Sequence, residues 1–554
     1  MACRRPENSA RSAERAERTG CAERESTRRG VINYVAGFRL DDLPGTCRVN
    51  ERGELTIGGV GASELVRRFG TPLYVFDEAH FRSRCREFQA ALVRYYPASR
   101  LLYAGKAFLT TGLCRILRQE GLGLDAVSGG ELHTAFAAGF PAAEIVFHGN
   151  NKTPDEVGLA LRRGVGRFVV DSMDELHLLE EMASSLDRKA RILLRLTPGI
   201  EAHTHSYIQT GQIDSKFGFP MVNGQAKQAV QAVKRLPHLE LVGVHAHIGS
   251  QILETEPFRL LSRIMVEFMD QVRRETGWVL NELDLGGGFG IRYTAADDPP
   301  AVGEVIKAIA GTLREECAAR GLPLPALMLE PGRALVGEAG VTLYTVGSRK
   351  EIPGVRTYVS VDGGMADNPR VALYQAEYAC VLANRMLEPV EETVTVAGRY
   401  CESGDILVHE AMLPRARRGD ILAVFSTGAY HYSMASNYNR VPRPAVVTVY
   451  GGRAEVLVER ESYDDLIRLD RIPARLAEDG WAVAAVAVET VPAAGKTVMA
   501  AAAAQQAAAA QQAGAAEEAA AANRPVHPQP AAQRKQAAAG AGKMPAPAAT
   551  AEQG

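Results

Sequence analysis

At 554 residues, with 46% hydrophobic side chains, the chain carries enough apolar material for two folded domains plus tails rather than one ordinary domain. Lys+Arg number 63 and Asp+Glu 65, a formal net charge of -2 that excludes the broad basic field by which nucleic-acid-binding proteins gather their ligand. The eight cysteines form no CxxC pair and no cluster with histidine at zinc-ligand spacing, so no metal is expected. No window approaches the roughly 18 uninterrupted apolar residues of a membrane span, and the amino terminus lacks the apolar core of a signal peptide. A soluble cytoplasmic protein with reduced thiols, no nucleic acid and no membrane contact is the expectation.

In chain order, residues 1–34 are crowded with Arg, Glu and Ser and are expected to be a disordered extension, the alternative being a translation start further along. Residues 35–78 read as short strands that join a later β domain. Residues 79–340 alternate β-type runs with amphipathic helical stretches. The runs are LLYAGKA from Leu101, GLDAVS from Gly123, EIVFHG from Glu144, RFVVD from Arg167, RILLRL from Arg191, LVGVHAHIG from Leu241, ELDLGGG from Glu282 and LMLEPG from Leu327. Helices are predicted over Gly129–Ala138, Pro154–Arg163 and Met173–Ser184. Eight such units predict a closed (β/α)8 barrel. Residues 341–490 hold β-type runs without long helices, RTYVSVDGG, EETVTVAG, DILAVFSTG and VVTVYGGRAEVLVER among them, and predict a β-sandwich or β-barrel domain with a hairpin at Gly451-Gly452. Residues 491–554, rich in Ala, Gln and Pro, are expected to be a disordered tail.

In a barrel enzyme the chemistry sits at the carboxyl ends of the strands. Lys106, Asp125, Ser128, His247, Ser250, Gly286 to Gly288, Glu330 and Arg333 all fall there. A lysine at the end of a buried strand is desolvated, which lowers its pKa and suits it to imine formation. Three consecutive glycines after the seventh strand let a phosphate approach the backbone. Glu330 offers a carboxylate for the ring nitrogen of pyridoxal phosphate, and His247 a ring to stack on it. Each residue alone has a plainer reading as a rim lysine, an ordinary turn, a salt bridge or a core histidine. Their joint placement is what argues for a site.

The segments YAGKAF, GLDAVSGGEL, AGFP, HIGSQI, LDLGGGFGI, EPGRALV, VDGGMADNPRVALY, CESGD and GAYHYSMASNYN occur in the order and at about the spacing seen in one family. From about Val35 to Pro473 the chain resembles the fold-type III pyridoxal-phosphate-dependent decarboxylases, the ornithine/lysine/arginine class II family, and within it the branch that acts on diaminopimelate. That resemblance implies an alanine-racemase-like barrel with pyridoxal 5'-phosphate joined to Lys106, stacked on by His247 and paired with Glu330. It implies that Asp125, Ser128 and Glu131 line the same site, that Ser250, Gly287, Gly288 and Gly332 cradle the phosphate with Arg333 nearby, and that Tyr430 approaches the phosphate or substrate. It further implies that Cys401 returns the proton after carbon dioxide leaves, reaching the site from the partner subunit of a homodimer.

Substrate is argued from the far end of the pocket. Diaminopimelate carries a second carboxylate there, which Arg333, Arg370 and Tyr374 suit, while Glu402 meets the distal ammonium. The expected reaction is the decarboxylation of meso-2,6-diaminopimelate to L-lysine, the last step of lysine biosynthesis. Two departures from the family pattern, Val371 and Phe108, leave every charged contact in place. Another decarboxylase of this fold, acting on carboxynorspermidine, ornithine or arginine, a non-catalytic homologue, and a barrel without pyridoxal phosphate are the rival readings.

Overall fold

The computed structural model describes residues 34–35, 38–199 and 215–477. Apart from Tyr34, the expected amino-terminal extension lies outside the described residues, as does the expected Ala/Gln/Pro-rich tail. Three short strands, Arg48–Val49, Leu55–Ile57 and Val60–Gly61, form a small antiparallel sheet ahead of β1 (Leu73–Asp77).

Eight parallel strands follow: β2 (Ser99–Ala104), β3 (Gly123–Ala126), β4 (Ile145–Phe147), β5 (Arg167–Val170), β6 (Ala190–Thr197), β7 (Leu239–His245), β8 (Glu282–Asp284) and β9 (Ala326–Leu329). Each pairs with the next and β9 pairs back with β2, so the sheet closes in sequence order. This is the expected (β/α)8 barrel, and all eight predicted runs fall on its strands. The helices Gly129–Ala137, Pro154–Arg163 and Met173–Ser185 begin where Ser128, Thr153 and Ser172 accept the amide three residues on, satisfying donors a helix start leaves unpaired.

The barrel interior is layered, and the two-residue period of the strands explains the layering. Leu102, Val146, Val169, Leu193, Val242 and Met328 form one apolar cluster, while their neighbours Leu101, Tyr103, Phe147, Phe168, Leu194 and Leu329 pack outward against the helices. Two residues earlier on the inner face lie Arg167 and Arg191, which share Glu282 through contacts of 2.6 and 3.0 Å and plug the amino end. Two residues later come His148, Asp171, Arg195 and Glu330, a polar layer at the carboxyl end. In β7 the pairing slips so that Val242 is an extra residue opposite β6; the bulge reverses the pleat and turns His245 inward.

The second domain is built on β10 (Gly340–Ile352), β11 (Arg356–Val361), β12 (Cys380–Leu382), β13 (Glu392–Ala397), β14 (Ile406–Leu413), β15 (Ile421–Phe425), β16 (Ala445–Tyr450) and β17 (Arg453–Val458). The long β10 pairs with β1 and β15 through its first half and with β11 through its second. β1 lies between β10 and β16, so the chain enters the β domain before the barrel begins. At the β16–β17 hairpin Gly451 and Gly452 have φ of 56° and 74°, the positive values that a two-residue turn between right-twisted strands demands. Among the described residues no helix is long and apolar enough to cross a membrane.

Candidate active site

At the carboxyl end of the barrel a cavity of about 500 Å³ is lined by Lys106, Asp125, His247, Ser250, Gly287, Gly288, Glu330, Gly332, Arg333, Arg370, Tyr374 and Tyr430, twelve of the sequence candidates together. Lys106 stands in the turn Gly105–Ala107 directly after β2. Its side chain is exposed to this cavity while protein encloses it on every other side. The carbonyl of Ala107 accepts the Tyr430 amide at 2.8 Å and the Ser433 hydroxyl at 3.1 Å, which ties the lysine turn to the β domain. Tyr430 itself has φ of 64°, a left-handed conformation held by that contact.

The electrostatics of Lys106 correct one expectation. Burial does push the amine down, but the Asp125 carboxylate, Tyr430 and the Glu330 carboxylate outweigh it and hold the ammonium above its ordinary value. Desolvation alone was the wrong predictor, because the same inner layer that buries the lysine supplies two acids. Burial in turn pushes Asp125 and Glu330 above the usual carboxylate range.

The anion-facing side of the cavity is built from backbone and guanidinium groups. The Gly287 amide donates to His247 Nδ1 at 3.2 Å, fixing that ring beside the glycine turn. A Cβ at Gly287 would lie 2.3 Å from the Glu330 carbonyl and one at Gly288, where φ is 101°, 2.7 Å from the Gly249 carbonyl, so no side chain enters this cradle. Arg333 donates to Ser250 Oγ at 3.0 and 3.3 Å and to the Tyr293 hydroxyl. Arg370 donates to the Tyr378 hydroxyl at 3.0 Å, and both arginines lie over the Tyr430 ring, at 5.0 and 5.5 Å. Both are buried, and among the described residues their hydrogen-bond partners are hydroxyls rather than carboxylates.

Four candidates stand elsewhere. Ser128 and Glu131 are not among the residues lining the cavity: Ser128 accepts the Glu131 amide at 3.2 Å and Glu131 accepts the Val127 amide at 2.6 Å, bonds that start a helix, while Glu131 stays within electrostatic reach of Asp125 and Lys106. Cys401 and Glu402 are exposed on the β domain outside this cavity, where the Cys401 amide donates to Asn439 at 2.9 Å. Phe108, one of the two departures, packs against Phe76 and Tyr432 in the core, and Val371 is buried; neither lines the cavity.

The cavity also holds residues the sequence reading passed over: His148, Asn150, Arg195, Phe217, His245, Phe289 and Met434. His148 Nε2 stands 2.6 Å from Glu330 Oε1, and His245 Nε2 stands 3.3 Å from Glu330 Oε2. Neither is aligned as a hydrogen bond, which leaves both nitrogens and Glu330 Oε1 buried without a partner. Arg195 lies over the Phe217 ring at 4.3 Å. The signal for His148 and Arg195 was the inner-face period, since each follows an inward apolar residue by two positions.

Comparison with known proteins agrees with this geometry. Residues 78–337 match the family model for the pyridoxal binding domain of pyridoxal-dependent decarboxylases. The chain is 51% identical to the diaminopimelate decarboxylase of Bacillus subtilis, over 77% of this chain and 98% of that one, and 51% identical to that of Bacillus methanolicus, over 75% and 96%. The solved structure of diaminopimelate decarboxylase from M. jannaschii in complex with L-lysine superimposes with a TM-score of 0.74 at 35% identity, covering 78% of this chain and 99% of that one. With this cavity, this barrel and these relatives, the chain belongs to the diaminopimelate decarboxylase family of pyridoxal-dependent decarboxylases.

Proposed function

We propose that the chain removes carbon dioxide from the D-centre of meso-2,6-diaminopimelate and releases L-lysine, using pyridoxal 5'-phosphate, and that it works as a cytoplasmic homodimer with shared active sites. The observation that carries the substrate is the pair of buried arginines, Arg333 and Arg370, facing the cavity with hydroxyl partners. Such cations call for an anionic ligand beyond one phosphate, which a diacid supplies and a simple diamine does not.

The residues fit the cofactor. A side-chain-free cradle at Gly287 and Gly288 suits its phosphate, with Gly332 and Ser250 beside it. Lys106 presents the amine that would carry it, the Glu330 carboxylate suits a protonated ring nitrogen, and His247 offers a ring face. When bound, pyridoxal phosphate supplies a conjugated, protonated ring that takes up the electron pair left by the departing carbon dioxide.

The chain's own residues do the rest. Arg370, with Tyr374 beside it, grips the distal carboxylate through a planar fork and so fixes which end of the substrate reaches Lys106. Arg333 braces Ser250 against the phosphate cradle and lies close enough to Tyr430 to keep that ring over the cavity. Asp125, beside Lys106, stabilises that side chain as the ammonium whenever it is free, and would take its proton as the amine joins the cofactor. After carbon dioxide leaves, Cys401 of the partner subunit gives its thiol proton to the α-carbon, and Glu402 of the partner subunit meets the distal ammonium. The exposure of Cys401 and Glu402 outside the cavity of their own chain supports this sharing.

The test is the visible spectrum of the purified protein, then addition of meso-diaminopimelate with lysine and carbon dioxide quantified beside a Lys106→Ala control. Cofactor absorbance and equimolar lysine and carbon dioxide, both lost in the control, are expected. Bound cofactor with turnover of ornithine, arginine or carboxynorspermidine in place of diaminopimelate would overturn the substrate assignment.

A further inference from the structure

The polar layer of the barrel buries more side chains than the proposed chemistry uses. Behind Glu330 lie His148 at 2.6 Å and His245 at 3.3 Å, the first 4% and the second 1% exposed, with Asp125 3.8 Å from His148 Nε2 and Asp284 close by. Asp284 accepts the Gly286 amide at 2.8 Å through one oxygen, while its other has no partner. A carboxylate in such a place faces two further acids, and the cations of its layer, Lys106 and Arg195, must serve the whole cavity. Without donors of its own it would take up a proton and lose its charge.

We propose that His148 is a positioning residue for Glu330: its Nε2–H turns onto Oε1 when the carboxylate is drawn toward the cofactor ring nitrogen, and holds it ionised and aimed there. The inference rests on the reading that Glu330 meets that nitrogen. The contact distance is already that of a hydrogen bond, and only the direction is lacking. A modest rotation of either group makes the bond and removes two buried unpartnered atoms at once. Burial pushes His148 down to about 3, so the ring is neutral at physiological pH. It therefore offers an N–H without bringing in a competing charge. His245 bounds the other oxygen of Glu330, which limits the carboxylate to rotation within this slot.

The experiment uses the full chain stripped of cofactor and measures the affinity of pyridoxal phosphate and of its carba analogue, in which the ring nitrogen is replaced by C–H. The parent should prefer pyridoxal phosphate. His148→Ala should reduce that preference about tenfold, the scale of one hydrogen bond to a charged group. His148→Gln, whose amide reaches the same point, should restore most of it. The 15N shift of a labelled ring nitrogen should move toward the unprotonated position in His148→Ala and return in His148→Gln. Equal weakening of both ligands in His148→Ala, or an unchanged preference with an unchanged ring shift, would make His148 a core residue and overturn the proposal while leaving Glu330 in place. A parent protein that binds the two ligands alike would remove the Glu330 reading itself, and this inference with it.

Discussion

Asp405 accepts the backbone amide of Met365 at 2.6 Å, and its second oxygen accepts that of Tyr400 at 2.7 Å. One buried carboxylate thus fastens the turn leading to Arg370, which lines this chain's cavity, to the loop that carries Cys401 and Glu402 outside it. The approach is close enough that a Cβ at Gly364 or at Gly398 would lie 2.3 Å from Asp405 Oδ1. Asp405→Ala leaves two amides without an acceptor and should lower stability by about 3 kcal/mol. Asp405→Asn, which keeps one acceptor oxygen, should fall between. Calorimetric unfolding checks the order, and an Asp405→Ala midpoint equal to that of the parent would show that the two loops are held by something else.

The fork geometry of Arg370 carries its own prediction. A lysine at this position retains the charge but cannot present two parallel N–H groups, and it loses the contacts with the Tyr374 and Tyr430 rings at 5.0 and 5.5 Å. Arg370→Lys should raise the KM for diaminopimelate by about tenfold, the cost of exchanging a bidentate charged contact for a single one. Cofactor content per chain should not change. A variant that instead loses cofactor with an unaltered KM would place Arg370 on the phosphate side of the cavity.

Sharing of sites between subunits is tested by mixing inactive variants. Lys106→Ala and Cys401→Ala should each release almost no lysine alone. If Cys401 serves the neighbouring cavity, a mixed dimer holds one cavity with both defects and one with neither. Unfolding and refolding the two variants together should then return about a quarter of the parent's activity, as random pairing in a twofold dimer requires. A mixture as inactive as its components would mean that Cys401 acts on the cavity of its own chain, after a movement of the loop.

Most of the barrel was legible because strands buried on both faces are near-continuous apolar runs, and helices announce themselves by caps such as Thr153 before Pro154. Lys106, Asp125, Glu330 and Arg333 were found by asking what stands at strand ends. His148 and Arg195 were missed although both sit in the quoted runs, because a lone histidine or arginine in apolar surroundings reads as core. Counting by two from Val146 and Leu193 would have put both in the cavity. His245 was harder to see, since its inward direction depends on a bulge at Val242 that no local pattern announces. Ser128 and Glu131 were the opposite case. The spacing Ser-x-x-Glu ahead of an apolar stretch is that of a helix start, and the structure uses it as one. Cys401 and Glu402 came from the CESGD motif alone, and they stand exposed outside the cavity of their own chain.

Glu131 gives a prediction in which the sign of the pH effect separates the two readings of that residue. Burial pushes its carboxyl up to about 7, only partly offset by the Val127 amide, against an ordinary value of 4.5. Between those values the folded protein binds more protons than the unfolded chain. The stability this group contributes is therefore complete below about 4.5, falls as pH rises through 7, and is level above it. Glu131→Gln keeps an acceptor for the Val127 amide but cannot ionise, so its stability lacks this slope. The parent's advantage over the variant should shrink between pH 5 and pH 8, by at most about 3 kcal/mol for a shift of this size. Cofactor affinity should be the same in both, because the side chain is committed to the helix start. A variant that binds pyridoxal phosphate markedly more weakly, with a pH profile of stability parallel to the parent's, would return Glu131 to the cofactor site and remove it from the helix cap.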